Sequence, residues 1–334
     1  MQHVRGRLIV TSAGFGGLLL AVLIGAPTLG STSISLSRVF DSSIAFADNT
    51  DAQIFFVARL PRVLAAALVG GSLAMAGAVF QALLRNPLAT PDTLGVSSGA
   101  ALGAMLAIAF HFDFAIAGFS SVSLSSFLGS IGALGIVYML STARRRGLST
   151  TVLLLAGVTM TAFFSALILF VQYLTDFADT FRTVRWLMGM LDVGSYTPLI
   201  GALPLIVVAF AMVATLPRSL DLISLGDDAA AARGVDVQRA ERMALVSASL
   251  ATGAAVSISG PIAFVGLVVP HIVRLIVGSD HRLVLPASAL LGASFLIACD
   301  LIARTMFAPV ELPVGIVTAI IGGPFFLWLL VRRT

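Results

Sequence analysis

Apolar runs of about 20 residues, separated by short polar gaps, dominate this sequence. The first covers residues 8–29, and nine more follow within the 334 residues. A helix needs roughly 17–25 apolar residues to cross a hydrocarbon core about 30 Å thick. Only 11% of the residues are charged and 58% are hydrophobic, which leaves too few polar groups to cover a water-soluble domain. The sequence therefore predicts an all-α, polytopic membrane protein with about ten transmembrane helices.

The run at 8–29 resembles a signal peptide in position only, because it is long for one and lacks a small-x-small cleavage site. We expect it to remain as the first span. Nothing marks a second domain, so residues 1–334 are predicted to form one transmembrane domain. The other predicted spans are 63–84, 94–110, 122–140, 152–174, 199–216, 243–258, 262–277, 283–303 and 313–331.

The tripeptide Ser259-Gly260-Pro261 decides how many spans there are. As one helix, residues 243–277 would be about 50 Å long, and Pro261 would interrupt it. All 20 basic residues are Arg. Ten spans with a cytoplasmic N-terminus place most of these arginines on the cytoplasmic side. A fused helix would make the numbers of arginines on the two sides of the membrane more nearly equal. The positive-inside tendency therefore favours ten spans and two cytoplasmic termini. Inside arginines then include Arg144, Arg145 and Arg146, and outside ones are Arg38, Arg59, Arg62, Arg182, Arg185 and Arg304.

Several kinds of chemistry are missing from the sequence. A phosphate-binding loop of the G-x-x-x-x-G-K-[ST] type requires Lys, and neither H-E-x-x-H nor G-x-S-x-G occurs. The single cysteine, Cys299, lies within an apolar run, so neither a disulfide nor a Cys-based metal site is possible. We expect no catalytic residue, metal or cofactor in this chain. Most of the arginines lie in gaps between spans, and we expect a lipid bilayer around the chain and no nucleic acid partner.

The predicted spans hold few ionisable residues, among them Asp300, His271 and Arg274. Ion-coupled carriers usually need buried carboxylates or ion sites at mid-depth. Two classes stay open on this evidence, a permease driven by a separate ATPase and an ion-coupled secondary transporter. Gly and Ala are dense in 65–77 and 95–104, so these helices are predicted to pack closely on other helices.

Four stretches of the sequence carry recognisable motifs: 58–104, 224–237 (SLGDDAAAARGVDV), 260–286 and 311–330 (ELPVGIVTAIIGGPFFLWLL). Together they resemble the FecCD-type permease family, the membrane subunits of ABC importers for iron–siderophore complexes, haem and cobalamin. The resemblance runs from about residue 8 to 333. It implies a type II importer permease in the inner membrane, paired with itself or with a paralogous permease. It also implies two cytoplasmic ATPases, which bind ATP and Mg, and an extracytoplasmic binding protein. An iron chelate is the first expected substrate and cobalamin the alternative.

Arg59, Arg62 and Arg304 are the predicted docking residues for the binding protein. Arg59 and Arg62 lie at the predicted start of the second span, where a helix dipole disfavours cations, so an anionic partner is expected. From the residues alone, lipid headgroups or Asp51 could supply it, and Glu311 could neutralise Arg304. In similar permeases, arginines at these positions receive glutamates from the binding protein.

The polar stretch 218–242 is predicted to be cytoplasmic. It should contain a short helix, 227–233, with acidic residues in its first turn, and Gly234 should end it. The pattern equally fits an ordinary surface helix. By the resemblance, this stretch seats on the ATPase. The residues that carry this coupling are Ser224, Leu225, Gly226, Asp227, Arg233 and Gly234.

Two inner gates follow from the resemblance. Asn86 and Leu88 form one, and Thr150 and Thr151 form the other. An Asn-Pro turn and a Ser-Thr helix cap are ordinary local explanations for both. Residues 176–195 are too polar to span and are expected to form a short extracytoplasmic helix.

Overall fold

The structure is a computed structural model that describes residues 2–142, 149–191 and 193–333. Arg144, Arg145 and Arg146, which entered the topology argument, lie outside the described residues. The longer helices are α1 (Gln2–Gly25), α4 (Leu60–Leu83), α5 (Val96–Ala109), α6 (Ser121–Thr142), α7 (Thr150–Leu174), α9 (Thr197–Ala214), α12 (Val237–Ser259), α13 (Val265–Val277), α14 (His281–Thr305) and α15 (Val314–Arg333). The short helices are α2 (Leu36–Val39), α3 (Thr50–Gln53), α8 (Phe177–Leu187), α10 (Pro217–Ile223) and α11 (Asp227–Ala231).

The only strands among the described residues form a small hairpin between α5 and α6. Strands β1 (Ala115–Ile116) and β2 (Phe119–Ser120) pair antiparallel, with Ala115 opposite Ser120. Positive φ angles at Ala117 and Gly118 turn the chain between them, as two-residue hairpin turns require. The hairpin only connects two helices, so the fold is all-α as predicted.

The number of apolar helices agrees with the predicted ten spans. Within the described residues, seven helical stretches are long and apolar enough to cross a membrane. Three further apolar helices are shorter: Val96–Ala109, Val265–Val277 and Val314–Leu329. The chain is therefore a multi-pass membrane protein.

The predicted break between the seventh and eighth spans is confirmed. Helix α12 ends at Ser259, and Gly260 follows with a φ of 68°. Phe264 also has a positive φ, 69°, and α13 begins at the next residue. A non-glycine side chain rarely adopts this backbone conformation, so the chain changes direction sharply here.

The predicted start of the second span is wrong. Helix α3 continues through a π-helical turn, Ile54–Arg59, directly into α4, and the continuous stretch Thr50–Leu83 has 34 residues. The Asn49 side chain caps its start by accepting a hydrogen bond from the Ala52 amide at 3.0 Å. Arg59 and Arg62 therefore lie two or more turns inside a helix, and the expected unfavourable dipole at an N-terminus does not act on them.

Helix α4 lies at the centre of the fold and packs against α12, α13 and α14. A Cβ atom added at Gly70 would overlap the carbonyl of Gly292 on α14, and one added at Gly77 would overlap the carbonyl of Gly266 on α13. Side chains at these positions would force the backbones apart. The predicted close packing through small residues is confirmed.

Two irregular segments, 84–95 before α5 and 260–264 before α13, lie next to each other inside the fold. Helices α5 and α13 have 14 and 13 residues, which is about 20 Å of helix each and short for a hydrocarbon core. Pro91 precedes α5, and its ring lies 3.6 Å from the Cβ position of Gly266 near the start of α13. Irregular backbone occurs at membrane depth only where protein covers it or where it lines a cavity. The centre of this fold meets that condition.

Helix α1 packs on the outside of α14. Its Arg7 side chain donates a hydrogen bond from Nη2 to the carbonyl of Val277, the last residue of α13, at 2.8 Å. Unpaired carbonyls at a helix C-terminus favour such a cationic donor. The first helix of the chain is thus held by helices from its last quarter.

We predict that Gly77→Ala lowers thermal stability and that Gly132→Ala does not. An added methyl at Gly77 collides with backbone, and overpacking of this kind typically costs about 1–3 kcal/mol. A Cβ at Gly132 on α6 meets nothing within 4 Å, and Ala stabilises an exposed helix by about 0.5–1 kcal/mol relative to Gly. The measurement is thermal inactivation of both purified variants in the same detergent. Equal midpoints for the two variants would contradict the close packing.

Candidate functional site

Two of the three arginines that sequence analysis selected, Arg62 and Arg304, lie against Asp300. The third, Arg59, lies close enough to Arg304 for their charges to interact. Arg62 donates from Nε to Asp300 Oδ1 at 2.8 Å across 238 residues of chain, and from Nη1 to Glu311 Oε2 at 2.6 Å. Arg304 lies one helical turn after Asp300, with its Nε 3.8 Å from Asp300 Oδ2. Arg59 joins the cluster from the π-helical turn of the same long helix as Arg62. We call these five residues the arginine cluster.

The side chains of two of the three arginines are buried in this structure, and the docking role of all three stays a prediction. Arg59 is 6% exposed and donates to the carbonyls of Pro27, at 3.1 Å, and Thr32. Arg304 is 5% exposed and donates to the carbonyl of Ala26. Both guanidinium groups therefore hold the segment after α1 against α4 and α14. Sequence analysis could not foresee this, because carbonyl groups leave no mark on a sequence.

The acidic partners also differ from those considered from the sequence. The carboxylate of Asp51 accepts a hydrogen bond from the Ser35 amide at 3.1 Å and, among the described residues, accepts none from an arginine. Glu311 pairs with Arg62 rather than with Arg304. The side chain of Asp300 is 1% exposed, that of Arg62 14% and that of Glu311 48%. Arg62 is thus shared between one buried carboxylate and one that water reaches.

The short helix in the stretch 218–242 is present but ends earlier than predicted. Helix α11 covers Asp227–Ala231. Arg233 lies in the following turn, and its side chain donates a hydrogen bond to the carbonyl of Ala229 in α11. Gly226 has a φ of 119° and Gly234 a φ of 82°, so both ends of the helix use conformations that favour glycine. Ser224 bonds back to Asp221, and the apolar side chain of Leu225 is exposed.

Arg85 ties this stretch to the end of α4, a contact that sequence analysis missed. Its Nε donates to the carbonyl of Ile223 at 2.8 Å, and its guanidinium pairs with Asp227 at the start of α11. Arg85 directly precedes Asn86, one of the predicted gate residues. The side chain therefore joins the predicted coupling segment to the predicted gate. The signal in the sequence was a lone Arg in a short gap between two predicted spans, which is too common to single out.

A second contact holds α10 to the start of α14. The Asp221 carboxylate lies 2.6 Å from His281 Nδ1 and accepts the His281 amide at 3.0 Å. Asp280 caps α14, and hydrogen bonds from Arg282 hold the pKa of Asp280 below its usual value. A charged carboxylate at a helix N-terminus is favourable. The stretch 218–242, the predicted coupling stretch, is thus held to the end of α4 and to the start of α14.

The predicted gate residues have the ordinary local roles that their sequence suggests. Asn86 Oδ1 accepts the Leu88 amide at 2.9 Å, and the Leu88 side chain is exposed. Thr150 and Thr151 begin α7, whose start Ser149 caps. Within the described residues, no hydrogen bond joins the Asn86 turn to the two threonines. Their role as gates stays a prediction.

A cavity of about 610 Å³ lies beside the two irregular segments. Asp92, from the segment before α5, is the single ionisable residue in its wall; the rest of the wall comes from 187–188, 261–263 and α15. Within the described residues, no group of three or more His, Cys, Asp or Glu side chains is placed to hold a metal ion. The cavity is apolar apart from this carboxylate.

We predict that Asp300→Ala is strongly destabilising and that Glu311→Gln is not. Removing Asp300 leaves the buried Arg304 without its carboxylate and leaves Arg62 with Glu311 alone. Breaking a buried pair in this way typically costs about 3–5 kcal/mol. Glu311 is exposed, where a pair is worth about 0–1 kcal/mol. Thermal inactivation in detergent measures both effects. Equal stability of Asp300→Ala and wild type would show that the cluster is not structural.

Residues 18–332 match the FecCD transport family. The hemin transport system permease protein HmuU of Yersinia pestis is 38% identical, over 99% of this chain and 97% of its own length. The Fe(3+) dicitrate transport system permease protein FecD of Escherichia coli is 39% identical, over 82% of this chain and 84% of its own.

A solved structure has the same fold. It is described as a metal-chelate type ABC transporter in an inward-facing conformation. It superposes with a TM-score of 0.85 at 32% sequence identity, and the match covers 96% of this chain and 98% of that one. The resemblance seen in the sequence motifs is confirmed, and the chain belongs to the FecCD transport family of ABC permeases.

Proposed function

We propose that this permease imports an iron chelate, either a siderophore complex or haem, using ATP hydrolysed by a separate ATPase. The observation that carries the proposal is the link from the exposed coupling stretch through Arg85 to the turn at Asn86. This link gives an external motor a route to the membrane interior, which an ion-coupled carrier would not need. The names of the two relatives and of the solved structure, hemin, Fe(3+) dicitrate and metal-chelate, support the substrate class. Cobalamin is the alternative substrate.

We propose that two copies of this chain form the transport unit, with a paralogous permease as the alternative second subunit. The cavity beside Asp92 is open on one side of the single chain, and Ile320 in its wall on α15 is exposed. A second copy facing it would close the cavity and double its volume. The substrate path would then follow the two-fold axis between the copies.

We propose that the chain lies in the inner membrane with both termini cytoplasmic. The arginine distribution supports this orientation. The coupling stretch then faces the ATPases in the cytoplasm, and the arginine cluster faces the binding protein outside. Residues 176–195, which contain α8, would lie at the outer mouth of the path.

We propose that the binding protein docks over the arginine cluster through carboxylates. Arg62 is the member placed to receive one, since Glu311 beside it is exposed. Arg59 and Arg304 would contribute by holding the segment after α1 in place and by adding positive charge. Charged groups of this kind speed association and set specificity.

We propose that the ATPases move α11, and that Arg85 passes this movement to the gate at Asn86 and Leu88. Leu225 offers an exposed apolar side chain for the ATPase. Thr150 and Thr151 would form the second constriction. Short polar and apolar side chains suit a gate that closes without binding the cargo.

The experiment is uptake into proteoliposomes that contain the permease, its ATPase and the binding protein. Radioactive iron bound to a siderophore, haem and cobalamin are offered separately. We expect uptake of an iron chelate only with ATP on the ATPase side. Uptake driven by a proton gradient without ATP would overturn the proposal in favour of secondary transport.

We predict that Arg85→Asp lowers ATP-driven uptake about fivefold, the equivalent of one lost ion pair of about 1 kcal/mol, while ATP hydrolysis continues. The double variant Arg85→Asp with Asp227→Arg should recover much of the loss, because it restores the pair with the charges exchanged. Arg38→Asp is the charge-matched control, since Arg38 on α2 is exposed and is not one of the proposed coupling, gate or docking residues. Uptake and hydrolysis are measured on the same vesicles. If the double variant is no better than Arg85→Asp alone, the pair does not transmit the movement.

A further inference from the structure

We propose that, in the free permease, Glu311 occupies the site on the Arg62 guanidinium at which a carboxylate of the binding protein docks. Glu311 leaves this site when that carboxylate arrives. The proposal rests on the docking function proposed above and adds a step to it. Arg62 would be reserved by an internal carboxylate of the same chemistry as its partner.

The geometry around Arg62 distinguishes a fixed carboxylate from a replaceable one. Asp300 takes the Nε edge at 2.8 Å, is buried and lies between Arg62 and Arg304. Glu311 takes Nη1 at 2.6 Å from the exposed side. Removal of Asp300 would leave the buried Arg304 without its carboxylate, whereas release of Glu311 only returns an exposed carboxylate to water. Glu311 is therefore the group that an incoming carboxylate replaces.

The chain around Glu311 allows its side chain to leave without refolding. Glu311 lies between α14 and α15, where the Leu312 amide bonds to the carbonyl of Ala303 at 3.0 Å. The backbone at the next residue is thus held while the Glu311 side chain extends toward solvent. Exposed apolar side chains of Met306, Phe307 and Val310 lie in the same connection. An interface commonly combines such an apolar patch with a charged anchor.

Charge balance makes replacement more favourable than addition. A carboxylate that approaches Arg62 while Glu311 stays meets two carboxylates already on that guanidinium, and like charges repel. An exchange of Glu311 for the partner's carboxylate keeps the number of charges at Arg62 constant. The cost is that docking competes with Glu311, so the measured affinity falls by the fraction of permease whose Arg62 is free. The benefit is that lipid phosphates and free anions meet the same competition.

The test is the affinity of the binding protein for permease in nanodiscs. The probe is the extracytoplasmic binding protein recovered by cross-linking to wild-type permease. Five forms are compared at low salt: wild type, Glu311→Gln, Asp48→Asn, Arg62→Ala and the double variant Arg62→Ala with Glu311→Gln. Asp48 is an exposed carboxylate in the segment before α3, so Asp48→Asn removes the same charge on the same predicted face without touching Arg62.

We expect Glu311→Gln to bind about three- to tenfold more tightly, because the competitor is gone, and Asp48→Asn to change affinity by less. The gain should disappear in the double variant Arg62→Ala with Glu311→Gln, since no guanidinium is left to release. It should also shrink at high salt.

The outcomes separate this inference from the docking proposal. If Arg62→Ala binds as tightly as wild type, the docking proposal itself fails. If Arg62→Ala weakens binding but Glu311→Gln gains no more than Asp48→Asn, docking stands and the exchange at Glu311 is overturned. A gain from Glu311→Gln that survives in the Arg62→Ala background would also overturn it, because the effect would then be general charge.

Discussion

Backbone contact between glycines on neighbouring helices is the interaction on which this fold depends. At Gly70 and Gly77, α4 approaches α14 and α13 so closely that a methyl group would not fit. This proximity seals the centre of the bundle. Irregular segments such as the one around Pro91 can then exist there without exposing unpaired backbone groups to lipid. In a looser bundle lipid would reach these segments, so every part of the chain at membrane depth would have to be helical.

The same central helix also links the two ends of the molecule. Arg59 and Arg62 lie near one end of the continuous helix Thr50–Leu83, and Arg85 follows directly after the other end. At 1.5 Å per residue, the helix from Arg59 to Leu83 is about 36 Å long, and Arg85 lies two residues beyond its end. A rigid element of this length fixes both sites in one frame. A movement of the arginine cluster at one end, or of Arg85 at the other, therefore takes place relative to the same helix.

Features that depend on local residue patterns were predictable from the sequence. The ten apolar segments, the break at Gly260 and the close packing of small residues follow from hydropathy, turn chemistry and side-chain size. The start of the second span was not predictable, because the polar residues after Asn49 look like a loop while they form the first turn of a long helix. The pairing of Arg62 with Asp300 and Glu311 joins residues more than two hundred positions apart. Arg59 donates, within the described residues, only to backbone carbonyl oxygens. Every residue has a carbonyl, so the sequence does not show which ones Arg59 contacts.

The contacts of α1 have a consequence for biogenesis. Arg7 bonds to Val277, and Ala26 accepts a bond from Arg304, so the first helix is joined to chain made 270 and 278 residues later. At about 5–20 residues per second, the ribosome needs roughly 15–55 s to make that stretch. During this delay α14, against which α1 mainly packs, has not yet been made. The membrane-spanning window of α1 has a mean hydropathy of 2.2 and no buried residue even in the finished protein, so lipid can surround it until α14 arrives.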